Sequence, residues 1–256
     1  MVQLGDFVGP ESPPSATSKV FHSMEDRGPA HDTVVVFDWD DTLLCTTYLN
    51  RLDSLEALQA TDEARLALIG KIGDSAKILL EEAMKVGRVF IVTNSEEGWV
   101  QHSAARWVPA VLPVLEKVTI VSARSRYERL FPDEIGQWKI MAFLDLPQEM
   151  NTAVISNLIS LGDSDFEVEA AQVMKRELKS SFVKMIKFRE HPTPEELLKQ
   201  LELVRQQFRR IAGTARCLKV SLCKTPSPGA SRQVTPEGAP CPAPAADLGA
   251  PASPGK

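Results

Sequence analysis

The chain has 256 residues, of which 43% are hydrophobic and 25% are charged, and its net charge is −5. These proportions allow a packed domain of ordinary size with tails. The lack of a basic excess argues against a dedicated binder of nucleic acids or membrane surfaces, and no apolar run is long enough to span a bilayer.

The amino-terminal residues and the cysteines favour a reducing compartment over a secreted protein. The amino terminus lacks the positive start and the apolar stretch of a secretory signal. The four cysteines show no spacing typical of zinc or redox sites. We therefore expect free thiols and a cytoplasmic protein, because thiols persist in reducing compartments.

The first half of the chain alternates between short apolar strands and helical stretches. Strands are predicted over residues 34–38, 88–95 and 118–123. Helical segments are predicted over residues 43–73 with a break near Thr61, over 75–86 after a cap at Asp74 or Ser75, and over 96–116 with interruptions at Pro109 and Pro113. This alternation is typical of α/β folds.

The second half continues the same alternation. A strand that ends at Asp163, a helix and a last strand are predicted, the latter two over residues 167–178 and 183–188. The final helix has a clear start, because Thr193 can cap it, Pro194 suits its first position and Glu196 completes a capping box. Gly213 suits its end.

These elements predict an α/β fold of Rossmann-like type. Short apolar strands that alternate with helices at least four times imply a mostly parallel sheet with helices on both faces. We place this domain at residues 32–221. Residues 1–31 are predicted to be a disordered amino-terminal arm, and residues 222–256 a disordered tail rich in Pro and Ala.

Two aspartates follow the first predicted strand. Asp38 and Asp40 point the same way in strand geometry, because side chains alternate with a period of two. Carboxylates at the end of a buried strand repel each other and need a cation, a shared proton or open solvent. Ligands bind at the carboxyl ends of parallel strands, so these acids form a candidate metal and acid–base site. The alternative is a turn of acids that only caps the strand.

Two later strands end in residues that suit the same site. Thr93 closes the second strand before a helix, where a hydroxyl and the free N–H groups of the helix can hold an anion. Asp163 and Glu167 follow a glycine turn and lie four residues apart, and such oxygen ligands suit Mg²⁺. Taken singly, each stretch also fits an ordinary strand–helix turn with a cap.

Taken together and in order, these residues resemble the motifs of the haloacid dehalogenase superfamily. The matching residues are Asp38-Trp39-Asp40-Asp41-Thr42, Thr93, Lys139 and Gly162-Asp163-Ser164-Asp165-Phe166-Glu167. The resemblance covers the predicted domain up to about residue 190. Asp41 stands where Gly is commonest in the family, and Glu167 stands where a second Asp is usual. Lys117 is the alternative to Lys139 as the motif lysine.

The resemblance implies a Mg²⁺-dependent phosphatase that acts on a phosphorylated substrate. Asp38 would be the nucleophile that forms an aspartyl-phosphate, and Asp40 would be the general acid and base. Thr93 and Lys139 would hold phosphoryl oxygens. The metal ligands that the resemblance implies are Asp38, the backbone carbonyl of Asp40, Asp163 and Glu167, the last directly or through water.

The spacing of the motifs leaves little room for a cap domain. A helical excursion within residues 49–71 is the only candidate, so the site would be open and would admit a large substrate such as a phosphoprotein. Two alternatives are a non-catalytic module of the same fold that binds a phosphorylated partner, and a phosphotransferase. Trp99 and Trp107, two helical turns apart, are expected in the core.

Overall fold

The computed structural model of the chain describes residues 2–6, 33–53, 63–150, 154–178 and 181–224. The strands are β1 (Val2–Asp6), β2 (Thr33–Phe37), β3 (Arg88–Thr93), β4 (Thr119–Ser122), β5 (Asn157–Gly162), β6 (Phe182–Lys187) and β7 (Leu218–Lys224). The longer helices are α1 (Thr46–Asp53), α2 (Glu63–Met84), α3 (Trp99–Trp107), α6 (Ile135–Leu144), α8 (Asp165–Glu177) and α9 (Pro194–Gly213). Three short helices are α4 (Leu112–Leu115), α5 (Ala123–Tyr127) and α7 (Leu146–Glu149).

The strands form one sheet in the order β1-β7-β6-β5-β2-β3-β4. All neighbours pair in parallel except β1, which runs antiparallel to β7 at the edge. The apolar strand β2 lies in the middle, between β5 and β3, and all five of its residues are buried. The predicted mostly parallel, Rossmann-like α/β sheet is confirmed.

Helices cover both faces of the sheet, as predicted. Val35 and Phe37 of β2 point to one face, where they join a cluster that includes residues of α2, α3 and α9. Val34 and Val36 point to the other face and join residues of α5, α6 and α8. Within the part of the chain that the structure describes, no helix is long and apolar enough to cross a bilayer.

The helix signals of the sequence are confirmed in two places. Thr193 caps α9 by accepting a hydrogen bond from the Glu196 backbone N–H, and Pro194 is the first helical residue. The segment between β3 and β4 is broken near Pro109 and Pro113, because α3 ends before a 3-10 turn that precedes α4.

The prediction of a separate helix that begins near residue 75 is wrong. The chain runs as one helix, α2, through Gly73, Asp74 and Ser75. Gly73 packs against the residue that follows α3, since a Cβ atom at this position would lie 2.8 Å from Cβ of Val108. The glycine therefore allows a close contact between elements and does not end the helix.

Two strands at one edge of the sheet extend beyond the predicted domain boundaries, one before residue 32 and one after residue 221. Residues 2–6 of the predicted disordered arm form β1, and β7 extends the domain to Lys224, beyond the predicted boundary at 221. The signal for β7 is its alternation, since Val220 and Leu222 are buried while their neighbours are exposed. The rest of the predicted arm and tail, and the middle of the cap candidate, residues 54–62, lie outside the described residues.

Candidate active site

The candidate site lies where β2 and β5 meet at the carboxyl edge of the sheet. Asp38 directly follows β2, and its backbone N–H donates to the carbonyl of Leu161 in β5 at 2.8 Å. Asp163 directly follows β5. From β2 the chain continues to β3 on one side, whereas β5 continues to β6 on the other. This is a switch point of the sheet, the position where open α/β sheets bind ligands.

Three buried carboxylates converge at this switch point. Asp38, Asp163 and Glu167 each offer an oxygen, and the three oxygens lie within 4.8 Å of one another. Nζ of Lys139 lies 2.9 Å from Oδ1 of Asp38 and also hydrogen-bonds to Oε1 of Glu167. One lysine does not neutralise three carboxylates, and an all-oxygen donor set suits a hard cation such as Mg²⁺.

Burial shapes the protonation of this cluster. Burial is the main reason that the pKa of Asp38 lies well above its usual value, and it raises the pKa of Asp163 to about 7, with a further contribution from Glu167. Burial lowers the pKa of Lys139, but the carboxylates of Asp38 and Glu167 together raise it more, so its net shift is upward. The lysine is therefore charged, and because burial makes Asp38 and Asp163 costly to ionise, a bound cation would offset that cost.

Glu167 is fixed from both sides. Its Oε2 accepts hydrogen bonds from the backbone N–H and the hydroxyl of Ser164, at 2.9 and 2.6 Å, while Lys139 holds Oε1. This makes Glu167 the third residue of a capping box at the start of α8. The longer arm of Glu, compared with Asp, folds back over Gly162, where a Cβ atom would lie only 2.2 Å from Cγ of Glu167.

Gly162→Ala is therefore expected to displace Glu167 and to lower the free energy of unfolding by about 1–3 kcal/mol, the usual cost of overpacking. Gly70→Ala is the matched control. Gly70 is exposed within α2 with no atom near its would-be Cβ, so the change should stabilise by about 0.5–1 kcal/mol. Urea denaturation of both variants and of the wild type measures these changes in the free energy of unfolding. Unchanged stability of Gly162→Ala would contradict the position of Glu167.

Asp40 is held by three donors, one from the end of β3 and two from the segment that follows it. The hydroxyls of Ser95 and Thr93 donate to its Oδ2 at 2.8 and 3.3 Å, and the indole N–H of Trp99 donates to Oδ1 at 2.9 Å. Thr93 also accepts from the backbone N–H of Ser95 at 3.0 Å. Both oxygens of Asp40 are thus fixed in the wall of the cavity that leads to the carboxylate cluster.

Sequence reasoning did not assign Ser95 and Trp99 to the site. Trp99 packs against the core, as expected, but it is only half-buried and its indole N–H also donates to Asp40. The available signal was its place in the first turn of the helix after the Thr93 strand, where side chains face the carboxyl edge of the sheet. Trp107, at the end of the same helix, packs against the core as expected.

Asp41 adopts the backbone conformation for which glycine is suited. Its φ is +54°, in the left-handed region that only Gly, Asn and Asp visit readily. Its side chain accepts from the backbone N–H of Thr47 at 3.0 Å, at the start of α1. This hydrogen bond, which a glycine would not make, thus compensates for the cost of the left-handed conformation at Asp41.

The two candidate lysines lie at opposite edges of the sheet. Lys139, on α6, is only 2% exposed and touches Asp38. Lys117 is exposed and precedes β4, at the amino-terminal edge of the parallel strands. The structure therefore brings Lys139, and not Lys117, to the carboxylate cluster.

An open cavity of about 360 Å³ leads to the cluster. The side chains that line it come from the loops after β2, β3 and β5, from the helices that follow them and from α6, among them Asp38, Asp40, Ser95, Trp99, Lys139, Asp163 and Glu167. Thr93 is buried behind this wall, where its hydroxyl bonds to Asp40 and to Ser95. The structure thus brings together the acids, the lysine and the threonine hydroxyl that the sequence singled out.

Comparisons with family models, with curated proteins and with solved structures find no match to this chain.

Proposed function

We propose that this chain is a Mg²⁺-dependent phosphatase of the haloacid dehalogenase superfamily, a hydrolase that forms an aspartyl-phosphate on Asp38. The observation that carries the proposal is the convergence of Asp38, Asp163 and Glu167 at the switch point of the sheet, where Asp38 and Glu167 both pair with the buried Lys139. A structural ion pair would need one carboxylate. Three clustered carboxylates, of which two share one lysine, fit a site that also takes a cation and a phosphoryl group.

Asp38 and Lys139 would carry the first step. A free carboxylate oxygen of Asp38 attacks phosphorus, and the bond from phosphorus to the leaving oxygen breaks. Lys139 lies 2.9 Å from Asp38, so its charge stabilises the negative phosphoryl group as it approaches the carboxylate. Water then attacks the aspartyl-phosphate, releases inorganic phosphate and restores Asp38.

The Mg²⁺ ion would be held by Asp38, Asp163 and the backbone carbonyl of Asp40, with Glu167 as a direct or water-mediated ligand. The ion supplies positive charge that offsets the repulsion between the carboxylate and the phosphate ester. Glu167 already accepts from Lys139 and Ser164. Through these bonds, Glu167 would orient Lys139 toward Asp38.

Asp40 would give a proton to the leaving oxygen and later take one from water. The indole N–H of Trp99 can only donate, so Oδ1 of Asp40 stays an acceptor. The hydroxyls of Ser95 and Thr93 can either donate or accept, so Oδ2 can lose and regain a proton without losing its partners. We assign the transferred proton to Oδ2.

The direct test is hydrolysis of a generic aryl phosphate by the purified full chain. We expect turnover with Mg²⁺ and a loss of about 100-fold or more when a chelator removes it, with recovery when Mg²⁺ is added back. Turnover that is equal with and without the chelator would contradict the proposal. Tight binding of the ester without any phosphate release would instead favour a non-catalytic module.

A further inference from the structure

The candidate active-site cavity shares lining residues with two neighbouring cavities, and we call the three together the groove. Ile135 and Phe166 line both the active-site cavity and a cavity of about 440 Å³. Asn94, Ser95 and Trp99 line both the active-site cavity and a further cavity of about 560 Å³. A small phosphate ester would occupy only the active-site cavity, whereas a chain molecule can extend beyond it.

The wall next to the active site is apolar and exposed. Ile135, in the first turn of α6, is 45% exposed, and Phe166, in the first turn of α8, is 38% exposed. The Phe166 ring lies close over Gly136, where a Cβ atom would be 3.1 Å from the ring. Large apolar side chains exposed at the rim of a site are a common feature of surfaces that bind a partner.

Charge decides what kind of chain suits this groove. The cavity beyond Phe166 is lined by Asp133, Glu134 and Glu169 and by no basic side chain. Among the described residues, these three acids have no ion-pair partner. A surface of this kind attracts a cation and repels a polyanion.

The cavity that borders Trp99 is no more favourable to anions. Glu96 and Glu97 line it together with Arg124. The guanidinium of Arg124 is already paired, with Glu128 at 3.1 Å and with Glu96 at 3.6 Å. The other lysine or arginine that lines the groove is Lys139, which pairs with Asp38 and Glu167 and lies where the phosphoryl group would bind.

We propose that the substrate is a polypeptide segment whose phosphorylated residue is flanked by Lys or Arg. This rests on the proposed function. The phosphorylated side chain reaches the cluster at Asp38, the apolar part of the neighbouring residues covers Ile135 and Phe166, and the basic side chain meets Glu134 and Glu169. A nucleic acid or a segment with several phosphates would bring negative charge against the same acids.

The test compares two phosphoserine peptides of equal length that differ only in carrying Lys or Glu at the flanking positions. We expect the full chain to hydrolyse the Lys peptide with a kcat/KM about three- to tenfold higher, mainly through KM, because exposed ion pairs are individually weak. In the double variant Glu134→Gln/Glu169→Gln this ratio should fall toward one. The matched control, Glu81→Gln/Glu202→Gln, removes two exposed acids of α2 and α9 on the other face of the sheet and should keep the ratio.

Three outcomes would overturn the proposal. Equal hydrolysis of both peptides by the wild type, beside normal hydrolysis of an aryl phosphate, would remove the basic-peptide preference and leave the phosphatase standing. Better hydrolysis of a 5′-phosphorylated oligonucleotide than of either peptide would assign the groove to nucleic acid. If neither the aryl phosphate nor any peptide is hydrolysed, the proposed function itself fails, and this substrate class fails with it.

Discussion

Asp38→Asn is expected to lower phosphatase turnover by about 10⁴-fold or more, with Mg²⁺ present and the fold intact. The amide cannot form the bond to phosphorus, and it also removes one oxygen from the carboxylate cluster. Asp38 is buried at the end of the central strand, so no neighbouring acid can reach the same position.

Asp165→Asn is the control for this variant. Asp165 belongs to the same acidic turn, but its side chain is 85% exposed and pairs with Lys187 at the surface. Its turnover should stay within about twofold of the wild type, since exposed pairs contribute little. If Asp38→Asn retained turnover while Asp165→Asn lost it, the assignment of the nucleophile would be wrong.

Lys139→Met is expected to reduce turnover by about 10²–10³-fold and to destabilise the fold by about 3–5 kcal/mol. Removal of this lysine leaves Asp38 and Glu167 facing each other, buried and without their cation. Because Mg²⁺ would supply replacement charge, the loss in stability should be smaller when Mg²⁺ is present. Steady-state kinetics and urea denaturation with and without Mg²⁺ measure both effects.

Lys117→Met separates the two lysines that the sequence offered. Lys117 is exposed at the opposite edge of the sheet, so its loss should leave both turnover and stability nearly unchanged. The reverse pattern, with Lys117→Met inactive and Lys139→Met active, would mean that the site of phosphoryl binding is elsewhere.

The central part of the fold was predictable because its signals are local. An apolar run that ends in acids gives β2 and Asp38, and the capping residues Thr193 and Glu196 mark the start of α9. Once the strands are parallel, their carboxyl ends must lie at one edge, so Asp38 and Asp163 are expected at the same edge. That the two acids are neighbours depends on the pairing of β2 with β5, which the local signals do not give.

Features that depend on tertiary contacts were not predictable in the same way. Gly73 looks like a helix end in the sequence, and only the proximity of Val108 explains why the helix needs a small residue there. The bond from the Trp99 indole to Asp40 joins residues 59 positions apart, and the place of Trp99 in the first turn of its helix does not identify Asp40 as its partner. Similarly, the amino-terminal strand β1 is defined by its pairing with β7 at the other end of the domain.

Glu167 carries two signals in the sequence, one for a helix cap and one for a metal ligand. The structure has it capping α8 through Ser164 while its other oxygen holds Lys139. The cap thus fixes the position of the lysine. The helix cap is confirmed, whereas the role as a metal ligand stays a prediction, because both oxygens bind donors of the chain in this structure.

The most direct test of the whole account is chemical trapping of the aspartyl-phosphate. The wild-type chain is mixed with an aryl phosphate and Mg²⁺, quenched in acid and treated with borohydride, which reduces an acyl phosphate to an alcohol. Mass spectrometry of the digested chain should then find homoserine at position 38, only when both the ester and Mg²⁺ were present. Continued turnover with Asp38 unmodified, or trapping at another carboxylate, would contradict the account.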